Sequence, residues 1–369
     1  MTRPQRVAMV SAHYLPYVGG VETHVSQLVH HLVDRGLEVE VLTQNEGRSL
    51  SPVEEIDGVR VRRFDVPVRS TNLAISPALA RHLRREAASF DLVHAHQYHN
   101  VPALFAALSR PRCLVFTPHF HGDGHSPLRA ALHRPYRVAG RMIFERSDRV
   151  ICVSRSEAEL VRRRFPSVAE RIEVVRGGVD REALRAAVPL ASDRMVVLTA
   201  GRLEAYKQVD RIVEAMALLG EGFELVVTGT GPARPQLEDL ARRRGVDGAV
   251  RFVGRIPVAE LHRWYRSAAV YVTMSTREAM GLSIVEALVA GAPVVCSDIE
   301  AHRDTADWSG GAIELVSPDV APHSLATAID TAARRPRVPV EIPDWGAVAD
   351  RVHEIYDEAA AFANRRTAA

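Results

Sequence analysis

The chain has almost no lysine. Of its 47 basic side chains only Lys207 is lysine, and the rest are arginine. It has three cysteines, Cys113, Cys152 and Cys296, odd in number and far apart. No disulfide framework or thiolate metal site can be read from them, and each reads as a small buried hydrophobe in an apolar run. No run of 18 apolar residues occurs; the nearest, 284–296, is broken by Glu286, so no segment reads as a membrane-crossing helix. The first residues, MTRPQRVAMVSAHY, have too short an apolar run for a secretory leader. Low-complexity tracts and close tandem repeats are missing as well. The expectation is a cytoplasmic globular protein.

What is present fits that class. Hydrophobic content is 47% and charged content 25%, with a net charge of +2, which gives no footprint for nucleic acid. The charge is uneven. Residues 1–185 carry 27 arginines against 20 Asp and Glu, and the remainder carries 20 basic against 25 acidic side chains. A basic first half suits an anionic partner or a membrane surface, although arginine-rich composition alone also produces it.

A length of 369 residues suits two domains. Short apolar runs alternate with amphipathic stretches throughout. Strands are expected at 6–12, 38–43, 58–64, 91–96, 113–119 and 149–154. A helix fits 21–36, closed by Gly36; another begins at Ser156 as N-cap, with Glu159 at capping-box spacing. The pattern restarts at 195 with strands near 195–200, 223–232, 250–256, 269–275 and 292–298. Two such runs imply two doubly wound α/β domains with mostly parallel sheets. The polar, alanine-rich stretch 180–193 is the expected linker, giving domains 1–182 and 183–345. Ligands in such sheets bind at the carboxyl ends of strands, so the motifs that follow strands matter most.

After the strand at 195–200 comes GRLEAYK, then a helix. Gly201 permits the turn. Arg202 and Lys207 stand near a helix N-terminus, where dipole and amides already favour an anion. A flat guanidinium fork and a movable ammonium suit a diphosphate. After the strand at 269–275, Glu278 and Glu286 are eight residues apart, flanking Met280, Gly281 and Leu282. A loop carboxylate there can accept from sugar hydroxyls, and one about a turn into the helix can hold a ribose. Most such Glu pairs are merely solvated, but the apolar surroundings of Glu286 demand partners for its charge. Gly19 and Gly20 precede a helix, a spacing that lets backbone approach phosphate or simply makes a turn; it is no dinucleotide fingerprint.

TPHFHGDGH places His119, His121, Asp123 and His125 at a spacing that zinc hydrolases use. Against a metal, the motif follows a strand inside a βα alternation, and no second ligand set follows. A sugar contact by His119 is the preferred reading. His94 and His96, also at a strand end, either line the site or cap the sheet.

Together these elements resemble family GT4 of the GT-B retaining glycosyltransferases. The resemblance runs through YLPYVGGVETHVSQL, DLVHAH, DRVICVS, GGVD, GRLEAYKQVD, LVVTGTGP, EAMGLSIVEALVAGAPVV and SDIEAHRD. It implies two Rossmann-like domains facing across a cleft, with the last helix, 346–369, packing back on the first. It implies transfer of a hexose-type sugar from a nucleoside diphosphate donor to an acceptor hydroxyl, without a cofactor or divalent metal. Glu278 and Glu286 match the family's E-x7-E element, Arg202 and Lys207 its diphosphate pair, Gly19-Gly20 its first loop and His119 its active-site histidine. Arg255 and Ile256 match the backbone that holds the base. Three departures stand out: Met280 replaces an aromatic, GGVD replaces an Asn-Gly pair, and the His119 segment is richer in histidine. Alternatives are the zinc hydrolase just described and a non-catalytic sugar-nucleotide-binding subunit. Residues 81–90 and 128–149 are arginine-lined and fit either plain solvation or peripheral contact with anionic lipid at the inner membrane face.

Overall fold

The structure is a computed structural model and describes residues 4–17, 19–47, 49–70, 73–122 and 138–368. It divides into two compact units, Met1–Gly178 with Trp345–Ala369, and Val179–Asp344.

The first unit has strands β1 (Arg6–Val10), β2 (Glu38–Asn45), β3 (Val53–Ile56), β4 (Val59–Asp65), β5 (Val68–Ser70), β6 (Leu73–Ile75), β7 (Leu92–His96), β8 (Leu114–Thr117), β9 (Arg149–Cys152) and β10 (Ile172–Val174). Eight of them form one sheet in the order β10-β9-β8-β7-β1-β2-β4-β3. All its pairs are parallel except β3 with β4, a hairpin at one edge. β5 and β6 make a separate antiparallel pair. Successive side chains of a strand point to opposite faces. Val7 and Met9 accordingly join one buried cluster and Ala8 and Val10 the other. The first cluster is closed by helices Gly20–Val33 and Trp345–Ala368, through Leu28, Leu32, Val352 and Tyr356. The second is closed by helices Pro77–Glu86 and Val101–Leu108, through Leu79, Leu83 and Ala103.

The second unit has strands β11 (Met195–Ala200), β12 (Phe223–Thr228), β13 (Val250–Gly254), β14 (Ala268–Thr273), β15 (Val294–Ser297) and β16 (Ile313–Val316), in the order β13-β12-β11-β14-β15-β16. Every pair is parallel. The strand order reverses between β11 and β14, which is where a doubly wound sheet opens a ligand crevice beyond its carboxyl ends.

Two local expectations are corrected. The stretch 180–193 is no free linker: Asp180 caps helix Arg181–Ala186, whose Leu184 is buried within the second unit. Ser156 is not the N-cap of its helix. Ser154 is, accepting from the Glu157 amide, and the helix runs Arg155–Arg164. Ser154 and Glu157 satisfy the same spacing two residues earlier. All three cysteines are free and buried.

Candidate active site

In the second unit the loops after β11 and β14 meet. Gly201 has φ +144, Ala205–Lys207 forms one 3-10 turn, and Gln208 in the left-handed region starts helix Val209–Met216. The Gly201–Leu203 backbone lies directly on the loop after β12. A Cβ on Gly229 would collide with the Gly201 carbonyl, and one on Gly231 with the Leu203 backbone. The Leu203 amide donates to Thr230 O at 2.9 Å. These glycines are therefore required by close backbone approach. The 3-10 turn is tied to the β14 loop, where the Thr276 amide donates to Tyr206 O at 2.9 Å.

This geometry brings Lys207 onto Glu278, with Nζ 2.5 Å from Oε1. Their side chains are only 16% and 18% exposed, so each charge depends on the other. Burial alone would lower the Lys207 pKa, but Glu278 outweighs it and holds it above its usual range. Burial would raise Glu278, but Lys207 holds it below the usual carboxylate range. Arg202 is largely in solvent, near the Tyr206 hydroxyl at 3.4 Å and the Glu204 carboxylate at 3.3 Å. The two cations are thus neighbours of different character, one held and one exposed.

Gly281, with φ +80, stands just before helix Leu282–Val289 and no side chain caps that end. Met280 is buried beside it. Glu286 accepts from the buried Tyr265 hydroxyl at 2.8 Å. Burial pushes its carboxyl up to about 7 despite that bond. Buried His302 is missed by the sequence reading. Its Nδ1 is 2.8 Å from Ser297 O, and its Nε2 has no hydrogen-bond partner among the described residues. Arg255 and Ile256 follow β13, with Arg255 exposed.

In the first unit Gly19 and Gly20 begin helix Gly20–Val33. They are not equivalent. A Cβ on Gly19 would run into the Glu22 carboxylate, whereas Gly20 has open space. His119 follows β8 with φ +47. Its Nε2 is 3.3 Å from His96 Nδ1, and its ring packs edge-on against His24 at 5.1 Å. Burial holds His24 down to about 4 and His96 and His119 well below their usual value. His94 bonds Tyr356 and Thr117 through its two ring nitrogens, a structural role.

Glu157 anchors the backbone of the residue that follows His119. Its carboxylate accepts from the Phe120 amide at 2.5 Å and the Val153 amide at 2.6 Å, and burial pushes its pKa up to about 8. His121 stacks on His99 with ring centroids 4.9 Å apart. Asp123 and His125 lie outside the described residues. Among the described residues, the histidines whose ligand atoms gather are His24, His96 and His119, within 4.8 Å. The expected partner of His119, His121, is not in that group.

Two family models match the chain: Glycosyltransferase Family 4 over residues 18–183 and Glycosyl transferases group 1 over residues 180–341. Among curated relatives is a D-inositol 3-phosphate glycosyltransferase of Xylanimonas cellulosilytica, 31% identical over 82% of each chain. The protein of the same name from Kineococcus radiotolerans is 30% identical, over 96% of this chain and 95% of its own. Among solved structures, sucrose-phosphate synthase from Thermosynechococcus elongatus has a TM-score of 0.75 at 23% identity, covering 98% of this chain and 97% of its own. Anabaena Alr3699/HepE, in complex with UDP and glucose, has a TM-score of 0.68 at 18% identity, covering 99% and 98%.

Proposed function

The chain belongs to glycosyltransferase family 4, with the GT-B fold, and from that premise we propose that it transfers a hexose-type sugar from a nucleoside diphosphate donor to an acceptor hydroxyl, with retention at the anomeric carbon. The observation that carries the reading is the Lys207–Glu278 pair in the two loops that flank the strand-order reversal of the second unit.

In this reading the anomeric C–O bond to the diphosphate breaks and the acceptor oxygen bonds to the same face. The acceptor proton passes to the departing phosphate oxygen. Charge grows on the diphosphate, and Arg202 with Lys207 stabilises it. Lys207 is held by Glu278, which fixes the position of its ammonium. Two cations in these roles leave no need for a divalent metal. Glu278 and the backbone of Met280, Gly281 and Leu282 take the sugar hydroxyls. Glu286, already bonded to Tyr265, takes the ribose. Arg255 and Ile256 hold the base through backbone groups, Gly19-Gly20 approach the donor phosphate, and His119 contacts the sugar.

The hydrolase reading loses support, since the matching families and relatives are glycosyltransferases. The relatives' names make a phosphorylated cyclitol the first acceptor to try, and the arginine excess of residues 1–185 favours an anion. Among the described residues no helix is long and apolar enough to cross a membrane.

A thermal-shift screen of nucleoside diphosphates and nucleotide sugars tests the donor half, because a ligand that binds only the folded chain raises Tm. One nucleotide series should stand out, and Lys207→Ala and Glu286→Ala should each weaken it. Full donor affinity and transfer in both variants would remove the assignment. The anomeric configuration of the product, read by NMR, tests retention.

A further inference from the structure

We propose that His24, His96 and His119 form a binding site for a borderline divalent transition-metal ion of the Zn²⁺ class, and that the ion, when bound, inhibits transfer. The three imidazoles come from separate parts of the first unit: helix Gly20–Val33, the end of β7 and the turn after β8. Their ligand atoms all lie within 4.8 Å of one another.

The spacing of the His96–His119 pair suits coordination, and His24 draws in on binding. Two nitrogens on one tetrahedral zinc, each at about 2.0–2.1 Å, stand about 3.3 Å apart. His96 Nδ1 and His119 Nε2 are 3.3 Å apart. One of the two protons is already placed for it, and the other must move. His96 Nε2 is 3.0 Å from the Met9 thioether, a group that only accepts. Nε2 therefore carries the proton, and His96 Nδ1 presents its lone pair towards His119. On binding, His119 Nε2 also becomes a lone-pair donor and its proton moves to Nδ1. His24 closes the third side, its ring centroid 5.1 Å from that of His119 and 6.0 Å from that of His96.

Three imidazoles with no carboxylate select zinc, copper, nickel or cobalt over magnesium and calcium. Three protein ligands leave a fourth position for water or hydroxyl. The site stands on geometry alone. Inhibition rests on the proposed sugar contact of His119, because a nitrogen bound to metal is lost to that contact.

The test uses the full chain, stripped of metal and dialysed against Zn²⁺ alone. It should retain one ion per chain. Co²⁺ in its place should give the intense visible bands of a tetrahedral site, a readout on the unmutated protein. His24→Gln and His119→Asn should each lose the ion, and His121→Ala should keep it. Less than one ion in the native chain, weak octahedral Co²⁺ bands, or undiminished retention in both variants overturns the site. In transfer assays Zn²⁺ should inhibit the native chain, a chelator should restore it, and His24→Gln should escape the effect. Inhibition unchanged in His24→Gln overturns the link. A chain that binds zinc but no nucleotide sugar leaves the site intact and removes the transferase reading alone.

Discussion

At the scale of residues, the singular lysine is explained by what it touches. Lys207 and Glu278 are both mostly buried and bonded to each other. Removing one partner of a buried pair costs about 3–5 kcal/mol, since the other charge is stranded. Lys207→Ala should therefore lower Tm, and a Lys207→Met/Glu278→Leu double variant should recover most of that loss without recovering transfer. If the double variant regains activity, the pair is structural only. Lys207→Arg keeps the charge but replaces a compact ammonium with a wide fork, so kcat should fall while Tm moves little. Glu157 gives a pH prediction. Its carboxyl is held near 8 against an ordinary 4.5, by burial. The folded chain keeps the proton after the unfolded chain has released it. Its contribution is thus full below pH 4.5 and lost as pH rises through about 8. His24, held near 4 by burial, has the opposite sign: its contribution is full above pH 6.5 and lost as pH falls through about 4. Glu157→Gln should flatten only the upper limb of a Tm–pH profile; an unchanged upper limb would refute the assignment. Lys207 and Glu278 were legible as candidates because each lies in a loop just after a strand, and Glu286 because its neighbours in sequence are apolar. Tyr265, 21 residues before Glu286 and joined to it only in space, left no local pattern. His302 and Glu157 were hidden for the same reason, as was the gathering of His24 and His96 on His119.

At the scale of elements, apolar runs revealed the central parallel strands, and edge structure escaped. The β3–β4 hairpin turns through Asp57 and Gly58, both with positive φ (50° and 77°). An Asp-Gly pair is a strong hairpin signal. It went unread because β3, VEEI, is only four residues long, does not alternate in polarity and buries none of them fully. The misplaced cap at Ser156 has a similar cause: two serines offer the same spacing to a glutamate, and only tertiary bonding of Glu157 to Phe120 and Val153 chooses between them. The loop after β12 was read as the end of a strand at 223–232; the strand stops at Thr228, and the purpose of the glycines beyond it lies in the loop beside them. Gly231→Ala would place a methyl on the Leu203 backbone and so shift the turn that carries Arg202 and Lys207. Donor affinity should drop several-fold in a thermal-shift titration, with little loss of secondary structure. Gly281→Ala adds a left-handed alanine at the start of helix Leu282–Val289, costing about 1–3 kcal/mol. Both stability and donor affinity should fall, whereas Gly20→Ala, which has open space, should leave Tm nearly unchanged.

At the scale of the whole molecule, the chain leaves the first unit at Gly178 and returns to it at Trp345. The returning helix, Trp345–Ala368, supplies Trp345, Val348, Val352, Ile355, Tyr356, Ala359 and Ala363 to the same buried cluster as Val7 and Leu28. The Tyr356 hydroxyl also bonds His94, 2.7 Å away. A chain stopped at Asp344 should expose one face of the first sheet. Limited proteolysis should then digest residues 1–178 while a fragment spanning 179–344 survives; equal resistance of both would count against this. The return also dictates an order of assembly during synthesis. The second unit is encoded as one uninterrupted stretch and can close as soon as its own residues have left the ribosome. The first unit, although begun first, must wait with one flank of its sheet bare until helix Trp345–Ala368 emerges. Its earliest strands thus spend the longest time in need of a chaperone, and slower translation between the codons for Val179 and Trp345 should lengthen that exposure.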